Sequence, residues 1–323
     1  MTMPFHQLDT DAQVAALLPL ARQILAQYPV GDVAELESIN HEYNSTFSVQ
    51  AIGGQKYALR INVNSARTPA NLSAELWWMS QIQAVTVPKP VANQDARLST
   101  SVWFEPLNRQ LHAVLFEWLP GQEVGDEPTD QQLTAMGAAM ARLHLESARL
   151  QLPPDASLPN LQDPWWGEPN LLAHPTEQLA ASQVAAIAQA QDKISAIVDQ
   201  LYATGTPQLI HADLHGWNLM WHQGQLAVFD FDDAGIGLRQ QDIATALYYL
   251  DTPQERQTWL AGYNQITDAP AGQEAWLPAL LVQRRLHLLN YLVGSTNPEH
   301  RAMVADYLAE TIRRIDQYMG KGH

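Results

Sequence analysis

The hydrophobic pattern of this chain shifts at Pro120-Gly121 from mainly strand-like to mainly helical, and that shift limits its fold more than any other feature. Before it, apolar residues recur at intervals of two. Phe47-Ser48-Val49-Gln50-Ala51-Ile52 alternates apolar and polar, Gly53-Gly54 supplies a tight turn, and Tyr57-Ala58-Leu59-Arg60-Ile61 follows, which predicts a β-hairpin. Residues 34–63 as a whole read as strands, and a second pair is expected at 102–104 and 111–119. Two helices interrupt this pattern. In residues 10–28, Val14, Leu17, Leu18, Ala21 and Leu25 recur at a roughly 3.6-residue period. Pro69 and Asn71 open the other, which runs to about Gln83 and leaves through Val85-Thr86-Val87-Pro88.

Beyond Pro120-Gly121 the chain reads as helical. Helices are expected over 129–149, with Thr129 as N-cap, over 176–203, and over most of 240–263 and 273–321. Residues 151–175 hold six prolines and read as irregular. Only Leu209-Ile210 and Leu226-Ala227-Val228-Phe229, with a polar loop between them, look like strands. The outline is α+β: an N-terminal antiparallel sheet with a helix, then a larger, mainly helical part, divided as 1–119 and 120–323.

Composition narrows the function. The 323 residues carry 18 Lys and Arg against 34 Asp and Glu, a net charge of −16, which argues against a nucleic-acid or anionic-membrane binder. With no cysteine there is no disulfide, thiolate metal site or cysteine nucleophile. No Lys or Arg precedes Arg22 and no apolar run is of membrane-spanning length, so the cytoplasm is the expected compartment.

The polar loop reads His211-Ala212-Asp213-Leu214-His215-Gly216-Trp217-Asn218, and twelve residues after Asn218 comes Asp230, in Phe229-Asp230-Phe231. These types meet the demands of phosphoryl transfer. One carboxylate accepts or orients the proton of an attacking hydroxyl. An amide oxygen and a second carboxylate hold Mg²⁺, which neutralises charge on nucleotide phosphates. A strand–loop–strand unit brings Asn218 and Asp230 close.

With these residues the chain resembles the aminoglycoside phosphotransferase and choline kinase family, over about residues 30–250, and within it most the branch of homoserine kinases and stress-response kinases. Gln208-Leu209-Ile210-His211-Ala212-Asp213 and Val228-Phe229-Asp230-Phe231-Asp232-Asp233-Ala234-Gly235 stand in family-like order. The resemblance implies a protein-kinase-like two-lobe fold, with a nucleotide-binding lobe over 1–119 and a catalytic and acceptor-binding lobe over 120–323. It implies Asp213 as the catalytic base, Asn218 and Asp230 as Mg²⁺ ligands, and His211 as a brace for the loop. Asp242, in Gln241-Asp242-Ile243-Ala244, would hydrogen-bond back to that loop. In the first lobe, Arg60 stands where the family has its phosphate-binding cation, and Glu75, in Ala74-Glu75-Leu76-Trp77, where it has that cation's partner. Lys56 shares the strand face of Arg60. Asn44 and Ser45 lie in a loop without glycine, unlike the protein-kinase pattern, and are expected to approach phosphates. Glu117 and Leu119 fall where backbone groups would hold adenine.

The implied function is transfer of the γ-phosphoryl group of ATP, with Mg²⁺, to a hydroxyl of a small metabolite such as an amino alcohol, homoserine, an aminoglycoside or a sugar. The acidic balance favours a cationic acceptor. A Ser/Thr protein kinase of the same fold and a nucleotide-binding pseudokinase or scaffold are the alternatives. Among other residues, His144 on an apolar helix reads as a packed core histidine, and Trp165-Trp166 as packing between helices. Asp232 and Asp233 read as a solvated loop, and Arg284-Arg285 and Arg313-Arg314 as helix-surface pairs.

Overall fold

Strict alternation of buried and half-buried residues along Ser45–Ala51 makes one face of a strand a core face, and the rest of the N-terminal unit is built around it. The computed structural model describes residues 3–65, 67–295 and 297–320. The chain divides into two compact units, Met1–Gln81 with Val87–Leu119, and Ile82–Thr86 with Pro120–His323.

The first unit opens with α1 (Thr10–Leu25), whose N-cap Asp9 accepts a hydrogen bond from Ala12 N at 2.8 Å. Next come β1 (Val33–His41), β2 (Ser45–Ala51), β3 (Lys56–Asn62), α2 (Pro69–Gln81), β4 (Thr100–Phe104) and β5 (Arg109–Glu117). The strands form one antiparallel sheet in the order β1-β2-β3-β5-β4. The hairpin forms as its turn chemistry demands, with Gly54 at φ +89° and Val49 paired to Tyr57. Leu17, Leu20, Ala21 and Ile24 of α1 pack on Phe47, Val49, Leu59, Ile61 and Leu115 of the sheet, a dry core on one face. Period two puts Arg60 on the face opposite Leu59 and Ile61.

The second unit is mostly helical: α3 (Asp130–Ser147), α4 (Ala181–Thr204), α5 (Arg239–Tyr248), α6 (Pro253–Asn264), α7 (Gln273–Gly294) and α8 (Pro298–Tyr318). Thr129 caps α3 in a reciprocal box with Gln132. The two stretches after 240 expected to be mostly helical each hold two helices, divided at Thr252, which caps α6, and at Asn297, which caps α8. Helices α3 and α6 cross without side chains between them. A Cβ on Gly137 would lie 2.0 Å from Trp259 O, and one on Gly262 2.1 Å from Thr134 O, so only glycine allows the approach.

Five short strands interrupt the helices. In addition to the expected β7 (Gln208–Ile210) and β9 (Gln225–Val228), the structure has β6 (Gln122–Glu123), β8 (Leu219–His222) and β10 (Gly235–Gly237). Strand β8 lies between β6 and β9, and β10 pairs with β7. These strands are too short to show a period, and only their pairing reveals them. Among the described residues no helix is long and apolar enough to cross a membrane.

Candidate active site

The site is built around one buried carboxylate. Asp242, in the first turn of α5, is 1% exposed. Its Oδ1 accepts from Ala212 N at 2.8 Å, and its Oδ2 accepts from His211 N at 3.2 Å and lies 2.9 Å from His144 Nε2. His144 in turn lies 2.8 Å through Nδ1 from Tyr263 Oη, across the glycine crossing of α3 and α6. Burial by itself would raise the Asp242 carboxyl, but hydrogen bonding and charge at His144, then His211, hold it below its usual value. The two backbone bonds pin Ala212 at φ +64°, a left-handed conformation that costs a non-glycine residue energy. The strained peptide turns the chain sharply and presents Asp213.

His211 closes the other side of the loop. Its Nδ1 accepts from Asp213 N at 3.3 Å, which leaves Nε2 as the donor to Phe229 O at 3.1 Å. Burial lowers its pKa, with Asp242 and Asp213 opposing, so the ring stays neutral. It ties the 211–218 loop to the segment after β9, where Asp230 stands at φ +58°. Phe229 N donates to Asn218 O at 3.1 Å, and this bond brings Asn218 and Asp230 to adjacent chain segments. Asn218 is buried and spends its amide N–H groups on Asp213, on the backbone O at 2.8 Å and on Oδ2 at 3.1 Å. That orientation turns its carbonyl oxygen, the atom a hard cation needs, away from Asp213. Asp230 is exposed and its Oδ1 accepts from Asp232 N at 3.4 Å. One amide oxygen and one carboxylate do not make an all-protein cage, and the described residues hold no cluster of three or more acidic or His groups placed for a metal. The pair could hold a hard divalent cation that keeps several waters and takes substrate phosphates as further ligands.

Asp213 itself is one-fifth exposed. Its Oδ1 is bonded by Arg284 Nη2, and its Oδ2 lies 3.4 Å from His215 Nε2. Burial alone would raise its pKa, but Arg284 and then His215 outweigh this and hold the carboxyl well below the usual carboxylate range. Asp213 is therefore ionised at any physiological pH. Arg284 also donates to Tyr249 Oη at 2.8 Å, and Tyr249 stacks on His215 with ring centroids 4.2 Å apart.

Arg284 corrects the reading from sequence. Arg284 and Arg285 are not a surface pair but 4% and 5% exposed. Arg285 is structural, bound to Thr311 Oγ1, Tyr248 Oη and Tyr307 O, each at 3.0 Å. The missed signal is Leu280-Leu281-Val282 before the pair and Leu286, Leu288 and Leu289 after it. A helix apolar on all sides is a buried one, and its polar residues then have work inside. Asp232 is likewise buried and Asp233 half-buried, with Oδ2 4.0 Å from Arg284 Nη1, rather than solvated. His144 is 1% exposed, and Trp165 and Trp166 are both buried. Arg313 is exposed and Arg314 half-buried, and they pair with Glu310 at 2.6 and 2.8 Å.

In the first unit Arg60 and Glu75 form a two-pronged pair, Nη1 to Oε1 at 2.8 Å and Nη2 to Oε2 at 2.7 Å, both nearly buried. Breaking such a pair leaves a charge stranded. Glu75→Gln, which keeps one acceptor, is expected to cost about 2 kcal/mol in urea unfolding. An unchanged midpoint would mean the pair contributes nothing. Lys56 is exposed and lies over the Trp118 ring, 3.7 Å from its centroid. Ser45 is fully buried and its hydroxyl is held by His41 Nδ1 at 2.6 Å, while Asn44 lies in the turn before β2 with a buried Oδ1. The Glu117 N–H is spent on Lys89 O at 2.8 Å, and Leu119 lies two residues beyond the end of β5.

The model of the phosphotransferase enzyme family matches residues 35–279. The chain is 25% identical over 197 residues to an amicoumacin kinase of Bacillus subtilis (strain 168), covering 60% of this chain and 57% of that one. It is 26% identical over 187 residues to stress response kinase A of Salmonella choleraesuis (strain SC-B67), covering 56% and 55%. The match thus spans little more than half the length of these curated relatives. The solved microcompartment-associated aminopropanol kinase is 28% identical and superposes with a TM-score of 0.75 over 94% of this chain and 98% of that one. The architecture is kinase-like.

Proposed function

The chain belongs to the phosphotransferase enzyme family, and from that premise we propose that it moves the γ-phosphoryl group of ATP to a hydroxyl of a small metabolite. The observation that carries this reading is Asp213, an ionised carboxylate held at a left-handed turn by Asp242, with Asn218 bonded to it. Asp213 accepts the hydrogen bond of the acceptor hydroxyl and aligns its lone pair with the γ-phosphorus. The new O–P bond forms as the bond to the β-phosphate oxygen breaks, and ADP leaves. In a loose transition state the hydroxyl proton becomes acidic late, so a carboxylate of low basicity suffices. Asn218 and Asp230 are the residues for Mg²⁺, which would draw off charge from the phosphates. In the first unit Arg60, fixed by Glu75, serves the phosphates, and Lys56 is occupied by Trp118. Asn44, Ser45, Glu117 and Leu119 are proposed to reach the nucleotide through backbone groups, because Ser45's hydroxyl already belongs to His41. The two units then serve as nucleotide lobe and catalytic lobe, with the cytoplasm, where ATP is plentiful, as their compartment.

Thermal unfolding with ATP, GTP or neither, each with and without Mg²⁺, tests the site, because a ligand of the native state raises Tm by mass action. ATP with Mg²⁺ at a hundred times Kd is expected to add about 2.7 kcal/mol, and Asp230→Ala to lose the Mg²⁺-dependent part. The absence of any shift at millimolar nucleotide would sink the kinase reading.

A further inference from the structure

The core stripe of α1 begins with a polar residue. Gln13 precedes Leu17, Leu20, Ala21 and Ile24 at helical spacing and is buried with them. A buried amide costs stability unless its hydrogen-bonding groups are paired, and here both are. Its Nε2 donates to Leu8 O at 2.9 Å, so its Oε1 is the acceptor for His41 Nε2, also at 2.9 Å. With the ring proton on Nε2, His41 has only Nδ1 left as an acceptor, and Ser45 Oγ donates to it at 2.6 Å. Burial lowers the pKa of His41, which agrees with a neutral ring. The result is a one-way chain of hydrogen bonds. It runs from Ser45 at the start of β2, through His41 at the end of β1, to the first turn of α1.

This chain clasps the loop Glu42-Tyr43-Asn44 at its base, where His41 and Ser45 face each other across β1 and β2. A second clasp comes from beyond β3. Asn64 N donates to Tyr43 O at 3.0 Å, and Asn64 Nδ2 donates to Glu42 O at 2.9 Å. Within the loop, Glu42 N donates to Asn44 O at 3.1 Å. All three loop carbonyls therefore accept hydrogen bonds from within the first unit. That matters for an anion, which is held by N–H groups and repelled by carbonyl oxygens. Glycine lets a backbone approach a ligand closely by its own conformational freedom. This loop has no glycine, and its shape is imposed by side chains that lie outside it.

We propose that Gln13, His41 and Asn64 are positioning residues for the nucleotide's phosphates, which hold the 42–44 loop with its carbonyls committed to the protein. None of the three touches the nucleotide. The polar head of α1 thereby acquires a task beyond packing on the sheet. This inference rests on the reading of Asn44 and Ser45 as nucleotide contacts.

Calorimetric titration of Mg·ATP and of adenosine into the whole chain tests it. Gln13→Met, His41→Leu and Asn64→Ala are each expected to weaken Mg·ATP by about three- to tenfold, the effect of one net hydrogen bond. Adenosine, which has no phosphates, should bind as it does to the parent. Ile24→Val is the control, because it loosens the core of the same helix without touching the chain of bonds. Its Tm should fall while its affinity for Mg·ATP stays that of the parent. Unaltered Mg·ATP affinity in the folded variants would overturn the proposal and leave the kinase reading standing. An equal loss for adenosine, or an equal loss in Ile24→Val, would overturn it too, since either would reduce the three residues to a role in folding. Should adenosine bind the parent too weakly to measure, the comparison with Ile24→Val decides. Should Gln13→Met or His41→Leu fail to fold, Asn64→Ala, at a half-buried position, decides. A parent that binds no Mg·ATP would instead remove the kinase reading itself.

Discussion

Asp213→Asn lowers kcat by about 10²–10⁴-fold with any acceptor the protein accepts, while the nucleotide-dependent rise in Tm persists. The amide keeps the shape of the carboxylate and one oxygen for Arg284, so the loop and the fold survive. It loses the negative charge that Arg284 and His215 stabilise, and with it the capacity to take the acceptor's proton. Steady-state rates at saturating ATP, set beside a thermal scan with and without Mg·ATP, separate the two consequences. Full turnover in the variant would remove Asp213 from the base role. A lost Tm shift would mean that the substitution disturbed the nucleotide site.

Asp242→Ala has the largest effect on stability, about 3–5 kcal/mol by denaturant unfolding. The substitution strands His211 N and Ala212 N, both buried, and takes the partner from His144. Natural domains have only about 5–15 kcal/mol in total, so the variant lies near the limit of folding. Asp242→Asn retains an acceptor but sets an NH₂ against donors, and should fall between the two. The carboxylate also has a pH signature. Its folded pKa is depressed, so its contribution is fully present above the unfolded value near 4 and is lost as pH falls through the folded value. The parent should therefore lose stability in acid more steeply than Asp242→Ala. Parallel acid profiles would show that Asp242 is not the group responsible.

Most of the secondary structure was legible because it is local. The Phe47–Ile52 alternation, the Gly53-Gly54 turn and the Thr129 cap act over a few residues, and α1, the hairpin and α3 formed where the period and caps placed them. The structure divides the late helical stretches at Thr252 and Asn297, capping residues whose signal is weak inside a long apolar pattern. Strands β6, β8 and β10 are two to four residues long, and no period survives at that length.

The candidate site divides along the same line. His211, Asp213, Asn218 and Asp230 announce themselves because the loop chemistry requires those residue types at close spacing. By itself, the sequence determined that a polar loop of this composition joins two short apolar strands, and that Arg60 and Glu75 lie on a strand and a helix within one turnaround of chain. What surrounds Asp213 was a tertiary decision. Arg284 stands 71 residues further along the chain, on a helix whose solvent face and core face depend on what packs against it. Here α4, α5 and α8 all contact α7, which leaves its arginines no route to water. A charge that cannot reach water must find a partner, and that requirement brought Arg284 to Asp213, Tyr249 and Asp233.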